Sequence, residues 1–237
     1  MIIKKIKKLL FLIILVLFIC TNSSSAKKLP LTGKIITIDP GHGGRDPGTI
    51  HNEIMEKNLN LEISLLLEKE LLNKGATVYM IRRSDIDLSS IYDSKKKRGD
   101  LYRRIKKIKE NKSDMYISIH INWYKNSYYK GAEVLYNNIN PNNKLLATKI
   151  MTEFKNNLNS SRNITTTNLY MYKNITTPGV LVECGYLSNY EERKNLVDLS
   201  YQRRIAKIIT SGIVNYYENI KQTWLFKLFL CIIKWVK

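Results

Sequence analysis

Apolar positions recur along the chain with two different periods. Residues 34–38 (KIITI) form a short β-branched run that stops at Asp39-Pro40-Gly41. Its length and the turn residues after it predict a buried strand entering a tight loop. Between 58 and 74 the spacing changes. Leu59, Ile63, Leu66, Leu67 and Leu71 share one face of a helix, and Gly75 supplies the stop. Strands are predicted at 76–81, 114–119 and 132–136, with shorter ones at 169–172 and 179–182. Helices are predicted at 100–109, 144–158 and 199–220, the last long and amphipathic. Strand and helix alternate through most of the chain. The pattern predicts an α/β fold, a three-layer α/β/α single domain around a mostly parallel mixed sheet. Loops leaving the carboxyl ends of strands build the site in such sheets. Attention therefore falls on 39–48, on His120 onward and on Glu183.

Both ends break the pattern. Four lysines within residues 1–8 precede an apolar run at 9–20, and Ser23-Ser24-Ser25-Ala26 follows with small side chains. That order predicts a signal peptide over 1–26, cleaved after Ala26. As a helix the run reaches only ~18 Å, against ~30 Å of bilayer hydrocarbon, which favours cleavage over a permanent span. Lipid attachment at Cys20 is disfavoured, because Ile19 occupies the site where a small residue is wanted. The remaining roughly 210 residues suffice for one domain, taken as 33–220, burying roughly 70% of its unfolded surface. The tail, 224–237, is mostly apolar, with Lys227, Lys234 and Lys237 at intervals of seven and three. Its reach of about 21 Å is too short to span and suits either an interfacial helix or one packed on the domain.

Composition narrows the partners. Thirty-nine basic residues against 20 acidic ones leave a net charge of +19. Such a surplus suits polyanions, including a wall polymer that carries carboxylates and phosphates. A nucleic-acid partner is not expected, since the chain reads as exported and shows no binding motif. Much of the charge lies at 95–98 and 103–107, and for most of these residues a solvated helix face and loop is expected. Only Cys184 and Cys231 follow the leader, so no disulfide framework is indicated.

The candidate chemistry lies in four short segments. His42 sits in Asp39-Pro40-Gly41-His42-Gly43-Gly44 after the first strand, and His120 ends Tyr116-Ile117-Ser118-Ile119-His120. Both are strand ends at the same edge of a parallel sheet, where their side chains can converge. The glycines let a ligand approach the backbone closely. Glu56 opens a helix, where a carboxylate also complements the dipole. Glu183 follows the strand-like run Gly179-Val180-Leu181-Val182, and a buried unpaired carboxylate is expensive unless a cation or a proton role accounts for it. His51, the third histidine, falls on the connecting loop. Alternation turns Cys184 away from Glu183 and into the core.

Asp-Pro-Gly-His-Gly-Gly, Glu-Lys-x-Leu-Asn-Leu, Ser-Ile-His-Ile-Asn and Pro-Gly-Val-Leu-Val-Glu-x-Gly-Tyr-Leu-Ser-Asn occur in this order. Together they resemble the catalytic domain of type-3 zinc-dependent N-acetylmuramoyl-L-alanine amidases over approximately residues 33–218. The resemblance is strongest to the germination-specific, spore-cortex branch, which has no separate wall-binding domain. It implies one Zn2+ per chain, held by His42, Glu56 and His120, with Glu183 as the catalytic residue. It implies supporting roles for Arg104 and Asn122, and it assigns no ligand position to His51. The short connection from His42 to Glu56 leaves no room for a large regulatory insertion. The implied substrate is peptidoglycan, its glycan strands and stem peptides, cut at the muramoyl–alanine amide as the first step toward muramic δ-lactam. An activating lipoprotein partner, as in some relatives, and peripheral membrane contact through 224–237 are the further expectations. The alternatives are a zinc peptidase acting on stem peptides, a vegetative autolysin, or a non-catalytic wall-binding protein.

Overall fold

The computed structural model describes residues 28–236, with side chains through Ile233; the leader expected at 1–26 lies outside the described residues. In chain order the strands are β1 (Ile35–Pro40), β2 (Ile50–His51), β3 (Ile54–Met55), β4 (Thr77–Met80), β5 (Met115–Asn122), β6 (Glu133–Tyr136), β7 (Ile164–Thr166) and β8 (Gly179–Tyr186). The helices are α1 (Glu56–Asn73), α2 (Lys96–Glu110), α3 (Asn142–Leu158), α4 (Tyr190–Leu196) and α5 (Leu199–Val236).

Six strands form one sheet in the order β4-β1-β5-β8-β6-β7. Every neighbouring pair is parallel except β6 and β8, which run antiparallel. Residues Leu31–Tyr217 make one compact unit, and Glu218 onward belongs to a second. Alternation sorts the strand residues onto two faces. Ile36, Ile38, Ile117, Ile119, Val180, Val182 and Cys184 join the larger core with residues of α1, α3 and α5. On the other face Tyr116 and Leu181 pack with Ile105 and Ile108 of α2 and with Met171, Tyr172 and Ile175. That second face turns polar toward the carboxyl edge, where Asp39, Ser118, His120 and Glu183 follow one another across β1, β5 and β8.

Helix α1 ends as its sequence predicts. Gly75 adopts φ +88°, its N–H donates to Leu72 O and the Ala76 N–H donates to Leu71 O, closing the last turn. Four features depart from the sequence reading. Residues 169–172 form no strand; they make a turn into a short 3₁₀ helix at Tyr172–Asn174, with Tyr172 N–H bonded to Leu169 O. Met171 and Tyr172 pack into the second core, while Leu169 and Tyr170 stay exposed. The edge strand β7, the helix α4 and the β2–β3 hairpin were not signalled by periodicity. Strand β8 continues to Tyr186, so Glu183 sits within it. Helix α5 runs unbroken from Leu199 to Val236, joining the predicted terminal helix to the tail. No helix among the described residues is long and apolar enough to cross a membrane.

Candidate active site

The loop after β1 carries His42 in the left-handed region, at φ +61°. Non-glycine residues rarely adopt that torsion, and something must hold it. Two buried arginines do so. Arg104 donates to Pro40 O (2.8 Å) and His42 O (2.6 Å). Arg82 donates to Pro40 O (3.0 Å) and Gly41 O (2.9 Å). Arg104 is held in turn by Asp39 (2.6 Å) and Asp100 (2.7 Å). Ser118 donates to the second Asp39 oxygen and receives a bond from the Tyr172 hydroxyl. Burial works to raise the Asp39 pKa, but the Arg104 charge and the Ser118 bond outweigh it and keep the group below its ordinary value. Burial and the Arg104 charge push Arg82 down to about 10, which still leaves it protonated at neutral pH.

Glu56 reaches the same place from the other side of the sheet edge. The β2–β3 hairpin turns through Asn52 and Glu53, both at positive φ, and delivers Glu56 to the first position of α1. Its Oε1 lies 3.2 Å from His42 Nε2 and 3.0 Å from His120 Nδ1, and accepts from the Ile121 N–H. Its Oε2 accepts from the Thr49 N–H. Burial alone would raise the Glu56 pKa; the bonds to His120 and His42 overcome it and leave the group strongly acidic. Asp46 Oδ2 stands 2.9 Å from His42 Nδ1 on the far side of the ring. Burial disfavours the charged His42 ring, yet Glu56 and Asp46 together raise its pKa. The Asp46 carboxylate thus stands against Nδ1, while Nε2 faces Glu56.

Space at this point is exact enough to dictate residue type. A Cβ on Gly41 would stand 2.3 Å from His120 Cε1. One on Gly48, at φ +66°, would stand 2.6 Å from Glu56 Oε2. His42, Glu56 and His120 each offer one ligand atom, and these atoms all lie within 4.8 Å of one another. Two imidazole nitrogens and one carboxylate oxygen are the donor set of a catalytic zinc site with an open position. The residues fit the metal.

Glu183 pairs with His120 on β5 and with Glu133 on β6. It lines the same groove as His42 and His120, partly exposed, and its Oε2 is shielded without a hydrogen-bond partner. Burial, then the charges of Glu56 and Glu133, raise its pKa well above the usual carboxylate range. Glu133 is served differently, by Thr165, Arg162 and Tyr186. Leu169 to Tyr172 line one side of the groove and Asn122 and Trp123 the other. Asn122 accepts from the Trp123 N–H. Arg104, 2% exposed, lies beneath the His42 loop. His51 is in β2 and takes no part in the cluster. Sequence reasoning missed Arg82, Asp46 and Glu133. Only Asp46, four residues after His42, offered a local signal.

A family model described as N-acetylmuramoyl-L-alanine amidase matches residues 36–215. The chain belongs to this amidase family. Relatives of this family member include the germination-specific N-acetylmuramoyl-L-alanine amidase of Bacillus subtilis, 37% identical over 229 residues, covering 91% of this chain and 97% of that one. The N-acetylmuramoyl-L-alanine amidase LytC of the same organism is 31% identical over 203 residues, 84% of this chain but 39% of LytC. Among solved structures, the CwlD amidase of Clostridioides difficile in complex with the GerS lipoprotein aligns with a TM-score of 0.75 at 34% identity, covering 78% of this chain and 98% of that one. The catalytic domain of CwlV from Bacillus (Paenibacillus) polymyxa aligns with a TM-score of 0.69 at 30% identity, covering 78% and 98%.

Proposed function

We propose that this family member hydrolyses the amide between N-acetylmuramic acid and L-alanine in peptidoglycan, with one Zn2+ held by His42, Glu56 and His120. The observation that carries the reading is the convergence of those three donors beside a shielded carboxylate, Glu183, at the floor of an open groove. Zinc in such a set supplies Lewis acidity and an acidified water with a pKa of about 7. Glu183 Oε2 takes the proton of the attacking water and returns it to the departing alanine amine. Burial and the charges of Glu56 and Glu133 raise its pKa, which favours holding a proton between the two transfers. Glu56 and Asp46 fix the two rings, while Arg104 and Arg82 fix the backbone that carries His42. Asn122 borders the groove, placed to orient the substrate.

The similarity to the germination-specific amidase supports action on spore cortex, as the first step toward muramic δ-lactam. An enzyme of that step acts outside the cytoplasm, in the cell wall or the forespore intermembrane space. The complex of the C. difficile relative with a lipoprotein supports an activating lipoprotein partner here. Digestion of purified cortex and vegetative peptidoglycan, with and without chelator, tests the reading by mass analysis. Intact stem peptides freed only without chelator are expected. Stem-peptide fragments still leaving peptide on the glycan would instead mark a zinc peptidase, and chelator-resistant release would remove the metal from the reaction.

A further inference from the structure

Helix α5 has two chemically different stretches. From Ile205 to Tyr216 it buries Ile205, Ala206, Ile208, Ile209, Ile213 and Tyr216 in the larger core. From 224 to 233 its large apolar side chains are exposed: Trp224 and Phe226 by 61%, Phe229 by 59%, and Leu225, Leu228, Leu230 and Ile233 by 38–47%. The family match ends at residue 215, and His42, Glu56, His120 and Glu183 all lie before it. A run of this kind in water is a recognition surface or a liability.

The pattern selects the occupant. Successive residues of an α-helix step by about 100°, so apolar positions 224–226, 228–230, 232 and 233 surround most of its circumference. A two-stranded seam between copies needs only a narrow stripe. The remaining arc is cationic, with Lys227 followed seven residues later by Lys234. Residues 219–237 contain four lysines and no acidic residue. The stretch is too short to span a bilayer. A broad apolar arc, a lysine stripe and tryptophan at the start of the run are what a helix sunk along a headgroup boundary requires. We infer that the C-terminal stretch of α5, from Trp224 onward, is an interfacial helix that binds the surface of an anionic lipid bilayer, tethering the amidase to a membrane face.

The test uses the chain from Lys27 to Lys237, since among the described residues every buried core residue lies between Leu31 and Tyr216. Cosedimentation is measured with vesicles of phosphatidylcholine alone and of phosphatidylcholine with phosphatidylglycerol. Tryptophan emission is followed in parallel, with Trp123 replaced by Phe so that Trp224 and Trp235 report. Binding at least tenfold tighter to the anionic vesicles, weakened by salt and accompanied by a blue shift, is expected. Ending the chain at residue 223 should remove the tight binding while leaving hydrolysis of a soluble muramoyl peptide unchanged. The pair Phe226→Ser/Phe229→Ser should weaken binding to both vesicle types, and Lys227→Glu only the anionic preference. Equal binding by the truncated chain would overturn the inference and assign the affinity to the basic surface elsewhere. A tail-dependent dimer without vesicle binding would overturn it in favour of a second copy.

Discussion

His42 is held at a torsion that costs a non-glycine residue of order 1–3 kcal/mol, and its neighbours explain how the cost is met. Three successive carbonyls, those of Pro40, Gly41 and His42, are each bonded to a buried guanidinium. Asp46 acts on the ring itself. Asp46→Ala should weaken zinc affinity roughly 10–100-fold by competition with a chromophoric chelator, the usual effect of losing a partner behind a histidine ligand. Glu183 is expected to separate binding from chemistry. Glu183→Gln should keep one zinc per chain while lowering amide cleavage by at least about 10²-fold, the lower end for a lost proton-transfer group. Cleavage at the parent rate would remove Glu183 from that role. These residues differ in how visible they were beforehand. His42, Glu56, His120 and Glu183 lie in recognisable motifs, and the structure brings the first three together with Glu183 beside them. Arg82 follows a strand like many basic residues, and nothing local shows that it folds back onto the loop 40 residues earlier.

At the scale of elements, β1, β5 and β8 end on polar side chains while their other faces stay apolar. The Asp39–Arg104–Asp100 cluster joins β1 to α2 inside that polar zone. Removing one member of a buried ion cluster strands the others at a cost of roughly 3–5 kcal/mol, so Arg104→Met should lower unfolding free energy by about that much in urea. The acid limb supplies a signed check. In the parent protein the Asp39 pKa is lowered, so its contribution is present above its unfolded value of about 3.9 and disappears as pH falls through the folded one. Without Arg104, only the Ser118 bond and the His120 charge still oppose burial, so the folded pKa of Asp39 rises relative to the parent and its stabilising contribution shrinks. The variant should therefore lose less stability between about pH 5 and 3 than the parent. Helices and the long strands were legible because they bury enough side chains to show a period. The three-residue β7 is too short for one, and at 169–172 Met171 and Tyr172 enter a core from a turn, which a short apolar run cannot distinguish from a strand.

Over the whole molecule, the His42–Glu56–His120 cluster and the main cores are separate. The larger core is built from α1, α3, α5 and the inner strand faces, so chelation should silence the enzyme without unfolding it. Adding zinc at 100 times its Kd should raise stability by about 2.7 kcal/mol, seen as a higher Tm. Because His42 must lose its proton to accept a metal and its pKa is raised in the metal-free protein, zinc affinity should fall as pH drops through that elevated value. The sheet order adds a temporal consequence. Residues 42, 56, 120 and 183 meet only after β8 has docked beside β5, late in the chain. A nascent or unravelled polypeptide thus possesses no hydrolytic apparatus. Docking of β8 is the event that carries Glu183 to the other three residues and closes the groove.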